Sequence, residues 1–337
     1  MINPPPGRRA YRRVAVLIAM NLLAGCTPAA LRPADAVTSP TYRLDAASSG
    51  ALRFIAYGDM RFTATAETEA SSSTARQALV AQVAAEAPAA VFLNGDLPWR
   101  GGAVADYEVM KTETAVWRAR GLHVYPALGN HEFAQCSKER CLENWWAAFP
   151  ALRGRRWYSV AVGSQLLAIA LDTDTSLEAR SAQRAWLEAQ LASLPRAIDF
   201  VFIFLHHPPV ADLQTGAGAN HNPRPNELAL AQYLMQAASR SRARFIVCAG
   251  HIHNYERHEQ DGIVYLVSGG GGAHPVPVVR ASSDLYQDPG FPNFHYLRFT
   301  LDGTHLRGEM FRLEDYEAPA PHTFTLKDSF EVSANPP

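Results

Sequence analysis

The sequence predicts an α/β fold in which apolar strands, covered on both faces, alternate with helices. Three observations carry this expectation. The runs at 200–205 and 245–248 are apolar without polar alternation, the pattern of a strand buried on both sides. Between such runs lie segments with helical spacing, as in Ala75, Leu79 and Val83. Several strands then break at a glycine followed by a polar, chemically competent residue: Gly58-Asp59, Gly95-Asp96, Gly129-Asn130 and Gly250-His251. Open α/β sheets bind their ligands beyond these carboxyl ends.

The chain opens with Arg8, Arg9, Arg12 and Arg13 before an apolar run at 14–23, then Leu23-Ala24-Gly25-Cys26. A basic stretch followed by a short apolar one reads as an export signal over 1–25, too short to remain as a membrane span. The Leu-Ala-Gly-Cys tetrad resembles the lipobox of bacterial lipoproteins. That resemblance implies cleavage before Cys26, acylation there, and a lipid-anchored protein facing the periplasm or cell exterior. An ordinary cleaved signal with an incidental cysteine is the other reading. Residues 26–50, rich in Ala, Pro, Ser and Thr, read as a flexible tether, 51–312 as one domain and 313–337 as a C-terminal extension.

Within the domain, residues 52–57 form a strand ending at Gly58-Asp59, and a helix over 73–87 stops at Pro88. A strand at 91–94 ends at Gly95-Asp96, and a single helix over 103–120 closes at Gly121. The strand at 123–127 runs into Gly129-Asn130-His131-Glu132. An aromatic helix around Trp145-Trp146 precedes a strand pair, 157–162 and 166–171, turning at Gly163-Ser164. A helix over 179–194 leads to the strand at 200–205 and His206-His207-Pro208-Pro209, and another near 227–239 leads to 245–248. The end is β-rich, at 263–267, 294–301 and 305–311.

Composition excludes some partners. The 337 residues are 47% hydrophobic, enough for one large core. Formal charge is −1, and without the four leader arginines the balance is 27 basic to 32 acidic, or −5. No basic stripe points to nucleic acid, and a monomer is expected. Of the four cysteines, Cys248 lies in an apolar strand as a buried thiol. Cys136 and Cys141 share a polar loop, where an oxidising compartment favours a disulfide and a metal role is the minor alternative.

The chemistry gathers at the strand ends. His251 and His253 would point to one face if the backbone beyond residue 249 stayed extended. Imidazole is the commonest ligand for borderline metals. Four other ends supply Asp59, Asp96, Asn130-His131 and His206. Taken singly, each could be a turn or cap; together they form a ligand set. His207 should face away from it by strand alternation.

In order, Gly58-Asp59, Gly95-Asp96, Gly129-Asn130-His131-Glu132, His206 and Gly250-His251-Ile252-His253 resemble the signatures of calcineurin-like metallophosphoesterases. GHIHNYER at 250–257, Gln183-Arg184-Ala185-Trp186-Leu187 and Ser268-Gly269-Gly270-Gly271-Gly272 look most like the purple acid phosphatase branch. The resemblance covers 53–312 and implies a two-sheet β-sandwich flanked by helices, with two divalent metal ions where sheet edges meet. Mn, Fe(II) or Zn are compatible. It further implies that Asp96 bridges the metals, with Asn130, His206 and His251 in one site and Asp59 and His253 in the other. His131 is then the general acid, opposite a bridging hydroxide that attacks phosphorus in line.

Two positions depart from the family. Its first motif commonly has a histidine two residues after the aspartate, where this chain has Arg61. Purple acid phosphatases place a tyrosine where this chain has Trp99. A guanidinium has no lone pair to give and an indole nitrogen only donates, so one site is a protein ligand short. Arg61 could instead grip a phosphate of the substrate, or form a structural ion pair. The segment 212–225 should overhang the site as a loop, with His221 either solvated or in contact with substrate. The expected activity is hydrolysis of a small phosphorylated substrate, mono- or diester. A catalytically weak phosphate- or metal-binding lipoprotein is the alternative.

Overall fold

A computed structural model describes Met1, residues 39–45 and residues 50–336. The export signal, Cys26 and most of the tether lie outside the described residues. Among these, the strands in chain order are β1 (Tyr42–Leu44), β2 (Leu52–Tyr57), β3 (Ala90–Leu93), β4 (His123–Pro126), β5 (Tyr158–Val162), β6 (Leu166–Ala170) and β7 (Phe200–Leu205). They continue as β8 (Arg244–Ala249), β9 (Tyr255–Gln260), β10 (Ile263–Ser268), β11 (His295–Asp302), β12 (His305–Leu313) and β13 (Phe324–Ser333). Two mixed sheets result, ordered β1-β5-β6-β7-β8-β10-β9 and β13-β12-β11-β2-β3-β4. The expected two-sheet α/β sandwich flanked by helices is the observed architecture.

Period-two alternation builds the layers. On β7, Phe200, Phe202 and Phe204 enter the core between the sheets, while Val201, Ile203 and Leu205 enter a second core. Phe54, Phe92, Phe202 and Phe299 form the centre of the first, with ring centroids 4.8–5.5 Å apart. Such pairs add about 0.5–1.5 kcal/mol each beyond burial. Leu187, Leu230 and Leu234, from α5 (Ala182–Ala192) and α6 (Pro225–Ala238), close the second core over the outer face of the seven-stranded sheet.

The other helices refine the expected boundaries. α1 (Ser73–Ala85) starts at a Ser72 side chain that accepts from the Ala75 amide, and stops before Ala87 at φ 47°. The single helix expected over 103–120 is instead two: α2 (Val104–Glu113) and α3 (Ala115–Ala119). The Thr114 hydroxyl donates to the Met110 carbonyl at 2.7 Å, a back-bond that bends helices. The Trp117 indole N–H, donating to the Val80 carbonyl at 2.9 Å, fixes the new direction. α4 (Lys138–Ala148) contains Cys141, which is bonded to Cys136 as a disulfide, so the bridge joins loop to helix rather than closing a loop alone. Cys248 is free and buried.

Three strands lie outside the expected set. β1 falls within the segment read as tether and pairs parallel with β5. β13 falls within the segment read as a C-terminal extension and pairs antiparallel with β12 along its length. β9 is the end strand of the seven-stranded sheet. Each is a sheet edge, where one side of the ladder is open and polar side chains are tolerated, so none shows a continuous apolar run.

Candidate active site

The carboxyl ends of β2, β3 and β4 in one sheet and β7 and β8 in the other converge on one edge of the sandwich. The chain leaves those ends through strained turns. Asp59 (φ 64°), Arg61 (φ 48°), Asp96 (φ 55°) and His251 (φ 71°) all adopt left-handed backbone. This costs of order 1–3 kcal/mol per non-glycine residue and persists only where surroundings enforce it. Gly129 and Gly250 are required by close approach, since a Cβ at either would collide with the carboxylate of Asp96 or Asp59.

Asp96 is the hub. Its Oδ1 lies 3.2 Å from His206 Nε2 and accepts the His131 amide at 2.9 Å. Its Oδ2 lies 3.3 Å from Arg61 Nη2 and 3.8 Å from His131 Nε2. Asn130 Oδ1 is 3.0 Å from His206 Nε2. On the other side, His253 Nε2 is 3.5 Å from Asp59 Oδ1, and Asp59 accepts the His251 amide at 3.0 Å. The six residues expected as ligands are thereby brought together. His251 and His253 nonetheless do not share a face through an extended strand. β8 ends at Ala249, and the turn at His251 sends one ring toward His206, with centroids 5.1 Å apart, and the other toward Asp59.

Proton placement follows from the partners. His206 Nδ1 faces the Asn94 carbonyl at 2.9 Å and His253 Nδ1 faces the His274 carbonyl at 2.7 Å. A carbonyl only accepts, so Nδ1 carries the hydrogen and Nε2 turns a lone pair toward a carboxylate. Burial first, then neighbouring positive charge, pushes His253 down to about 3 and His251 to about 2, and burial likewise lowers His206. Burial and the Asp96 charge raise Asp59. Burial would also raise Asp96, but the facing His206 and His131 rings, the Arg61 guanidinium and the His131 amide overcome it and hold Asp96 low. The lone pairs thus face two carboxyl groups, of which Asp96 is held ionised and Asp59 is pushed toward its protonated form. His251 Nδ1 and His253 Nε2 are buried and have no hydrogen-bond partner among the described residues. Neutral imidazoles beside carboxylates are the form that binds metal.

Some residues play parts the sequence did not disclose. Glu132 is fully buried, and its carboxylate accepts the amides of Asp96 (3.0 Å), Leu97 (2.9 Å) and Gly129 (2.7 Å). It therefore joins the ends of β3 and β4. Trp99 stacks on His131 with centroids 4.7 Å apart and lies under the Arg61 guanidinium at 5.2 Å. Its carbonyl also accepts from His131 Nδ1 at 2.6 Å, leaving Nε2 directed into the site. The expectation that His207 faces away is corrected. β7 ends at Leu205, so alternation lapses, and the His207 ring lies 4.3 Å from His251 with Nδ1 on Thr173 Oγ1 at 2.7 Å. His221, for which solvent and substrate contact were both open, is half-buried with its ring 5.1 Å from His251. The overhanging loop, partly a 3-10 helix at Gly216–His221, carries it there.

The two-sheet sandwich with ligand-type residues at its strand ends is the metallophosphoesterase fold. The family model described as calcineurin-like phosphoesterase matches residues 52–255, more than half of the sequence, and the chain belongs to that family. No protein of curated function matches the sequence. Among solved structures, purple acid phosphatase PPD1 from yellow lupin (Lupinus luteus) seeds is similar at 18% identity and a TM-score of 0.64. The match covers 86% of this chain but 55% of the lupin chain, so the chain spans about half of that enzyme's length. A dimetal phosphatase from Danio rerio is similar at 16% identity and a TM-score of 0.57, covering 84% of this chain and 99% of that one. GAP50, the anchor in the inner membrane complex of Plasmodium, is similar at 12% identity and 0.61, covering 86% and 90%. The same fold thus serves phosphatases and an anchor, and function has to be argued from the site.

Proposed function

We propose that this chain is a dinuclear-metal phosphoesterase acting on a small phosphorylated substrate. The supporting observation is the pairing of Nδ1-fixed, neutral His206 and His253 with the buried carboxylates of Asp96 and Asp59. In this reading Asp96, Asn130, His206 and His251 would hold one divalent ion, and Asp59 and His253, together with Asp96, would hold the other. When bound, the ions would supply Lewis acidity, activating the attacking water and neutralising phosphoryl charge. His131, its Nδ1 hydrogen on the Trp99 carbonyl and its ring stacked on the indole, would as the imidazolium carry a second hydrogen on Nε2 and give it to the leaving oxygen. Arg61, with Nη2 on Asp96 and Nε buried without a partner, offers its remaining donors to a phosphoryl oxygen. The same reading places the enzyme on a bacterial membrane through lipid at Cys26, facing the periplasm or exterior.

The test is hydrolysis of an aryl phosphomonoester and a bis-aryl phosphodiester by purified protein with Mn(II). Turnover of at least one should vanish on chelation, and Asp96→Asn should lose bound metal and activity together. Turnover undiminished in metal-stripped protein would overturn the two-metal reading. Metal binding without turnover of either ester would favour a binding lipoprotein, to which Arg61 in place of a ligand gives some support.

A further inference from the structure

At the β9 end of the seven-stranded sheet, beyond the residues of the catalytic centre, three side chains from two segments meet. Glu256 and His258 stand two residues apart on one face of β9, and Asp212 comes to them from the loop after β7. One ligand atom of each lies within 4.8 Å of the others. His258 Nε2 is 3.2 Å from Glu256 Oε2, and the Asp212 amide donates to the same oxygen at 2.7 Å. Asp212, Glu256 and His258 are only 2%, 0% and 3% exposed. Yet Oε1 of Glu256 has no hydrogen-bond partner among the described residues, and the Asp212 carboxylate has no side-chain partner, only the Ala281 amide beside it.

Buried carboxylates are ordinarily paired or given a metal, because an unmatched charge in a low-dielectric interior is strongly unfavourable. The nearby cation is already committed. Arg280 pairs with Asp284 at 2.6 Å and also donates to the Tyr255 carbonyl and Asn254 Oδ1. Asp284 adds a further negative charge that acts on both Asp212 and His258. His258 is the one remaining group there able to carry positive charge toward two carboxylates.

We propose that Asp212, Glu256 and His258 bind a divalent cation of the zinc type, in a site separate from the catalytic centre. Two carboxylates and one imidazole are a suitable donor set for zinc, with water completing the coordination. The placement gives the cation a structural consequence. Asp212 enters the loop whose base is closed by reciprocal bonds between Gln214 and Asn222, at 2.8 and 3.0 Å. That loop carries His221 to within 5.1 Å of His251. A cation at Asp212 would fasten the loop to β9 and keep His221 over the catalytic edge.

The experiment is equilibrium dialysis of the full chain against Zn²⁺, with zinc per protein measured by mass spectrometry. Asp212→Asn, which keeps the side-chain shape, should bind one zinc fewer than the wild type, whatever number the catalytic centre holds. Asp96→Asn should retain this zinc, so failure here and failure of the catalytic reading are told apart. Hydrogen exchange in residues 213–222 should slow on adding Zn²⁺ in the wild type but not in Asp212→Asn. Should Asp212→Asn fold poorly, His258→Gln, which leaves both carboxylates in place, carries the same test. Equal zinc content in wild type and variant overturns the proposal, leaving Asp212, Glu256 and His258 as a buried polar cluster without an ion.

Discussion

Arg61 decides how this chain differs from its family. The left-handed backbone at Asp59 and Arg61, rather than strand alternation, returns the guanidinium to the site. There it has an ion pair with Asp96, an aromatic face beneath it and an unpartnered Nε. A structural ion pair would use the charge fully, whereas a clamp keeps donors in reserve. One charge-assisted contact contributes about 1.5–3 kcal/mol, so Arg61→Ala should lower kcat/KM by roughly 10- to 150-fold at unchanged melting temperature. A lowered melting temperature with intact kcat/KM would instead identify a structural pair. For His131, fixed by its own partners rather than by the ligand set, His131→Ala should retain most of the metal while kcat falls by about 10²–10⁴-fold. The loss should shrink for a leaving group that needs no proton. Collapse of metal content would make His131 a ligand.

Among the elements, the strand ends matter more than the strands. Glu132 holds three amides from two of those ends, and one of its neighbours, Gly129, has no room for a side chain. Glu132→Gln keeps one acceptor oxygen but turns an NH₂ group toward an amide donor in a fully buried place. Leaving one such group unsatisfied costs about 1–3 kcal/mol, so the melting temperature should drop by several degrees, with activity falling alongside. Calorimetry on the purified variant checks this, and an unchanged melting temperature would show that Glu132 is not the tie between β3 and β4.

Across the whole molecule, the sandwich brings two sheets to one edge, and neither sheet alone holds the centre. β2, β3 and β4 supply Asp59, Asp96 and Asn130; β7 and β8 supply the histidines. No helix among the described residues is long and apolar enough to cross a membrane. Several acyl chains on Cys26 would hold the protein at a membrane surface, since two lipid signals suffice for stable attachment. Intact-mass analysis of membrane-extracted protein should therefore find an acylated amino terminus at Cys26, together with a mass two hydrogens below the reduced form for the Cys136–Cys141 bridge. An unmodified terminus would refute the anchor without touching the enzyme.

The sequence by itself determined the α/β class, the order of most strands and the six ligand-type residues. These are local signals: an apolar run ends at glycine, and a carboxylate, amide or imidazole follows within a few positions. It also marked Arg61 and Trp99 as departures. Only the tertiary structure decided what those two do, because their partners Asp96 and His131 come from other strand ends. The turn of His207 toward His251, the three-amide role of Glu132 and the meeting of Asp212 with Glu256 and His258 have the same origin. Each depends on contacts between residues distant in the chain, or on backbone turning left-handed where periodicity stops. The edge strands β9 and β13 escaped for a related reason: half of such a strand faces solvent or a single neighbour, so its pairing, rather than its apolar pattern, makes it a strand.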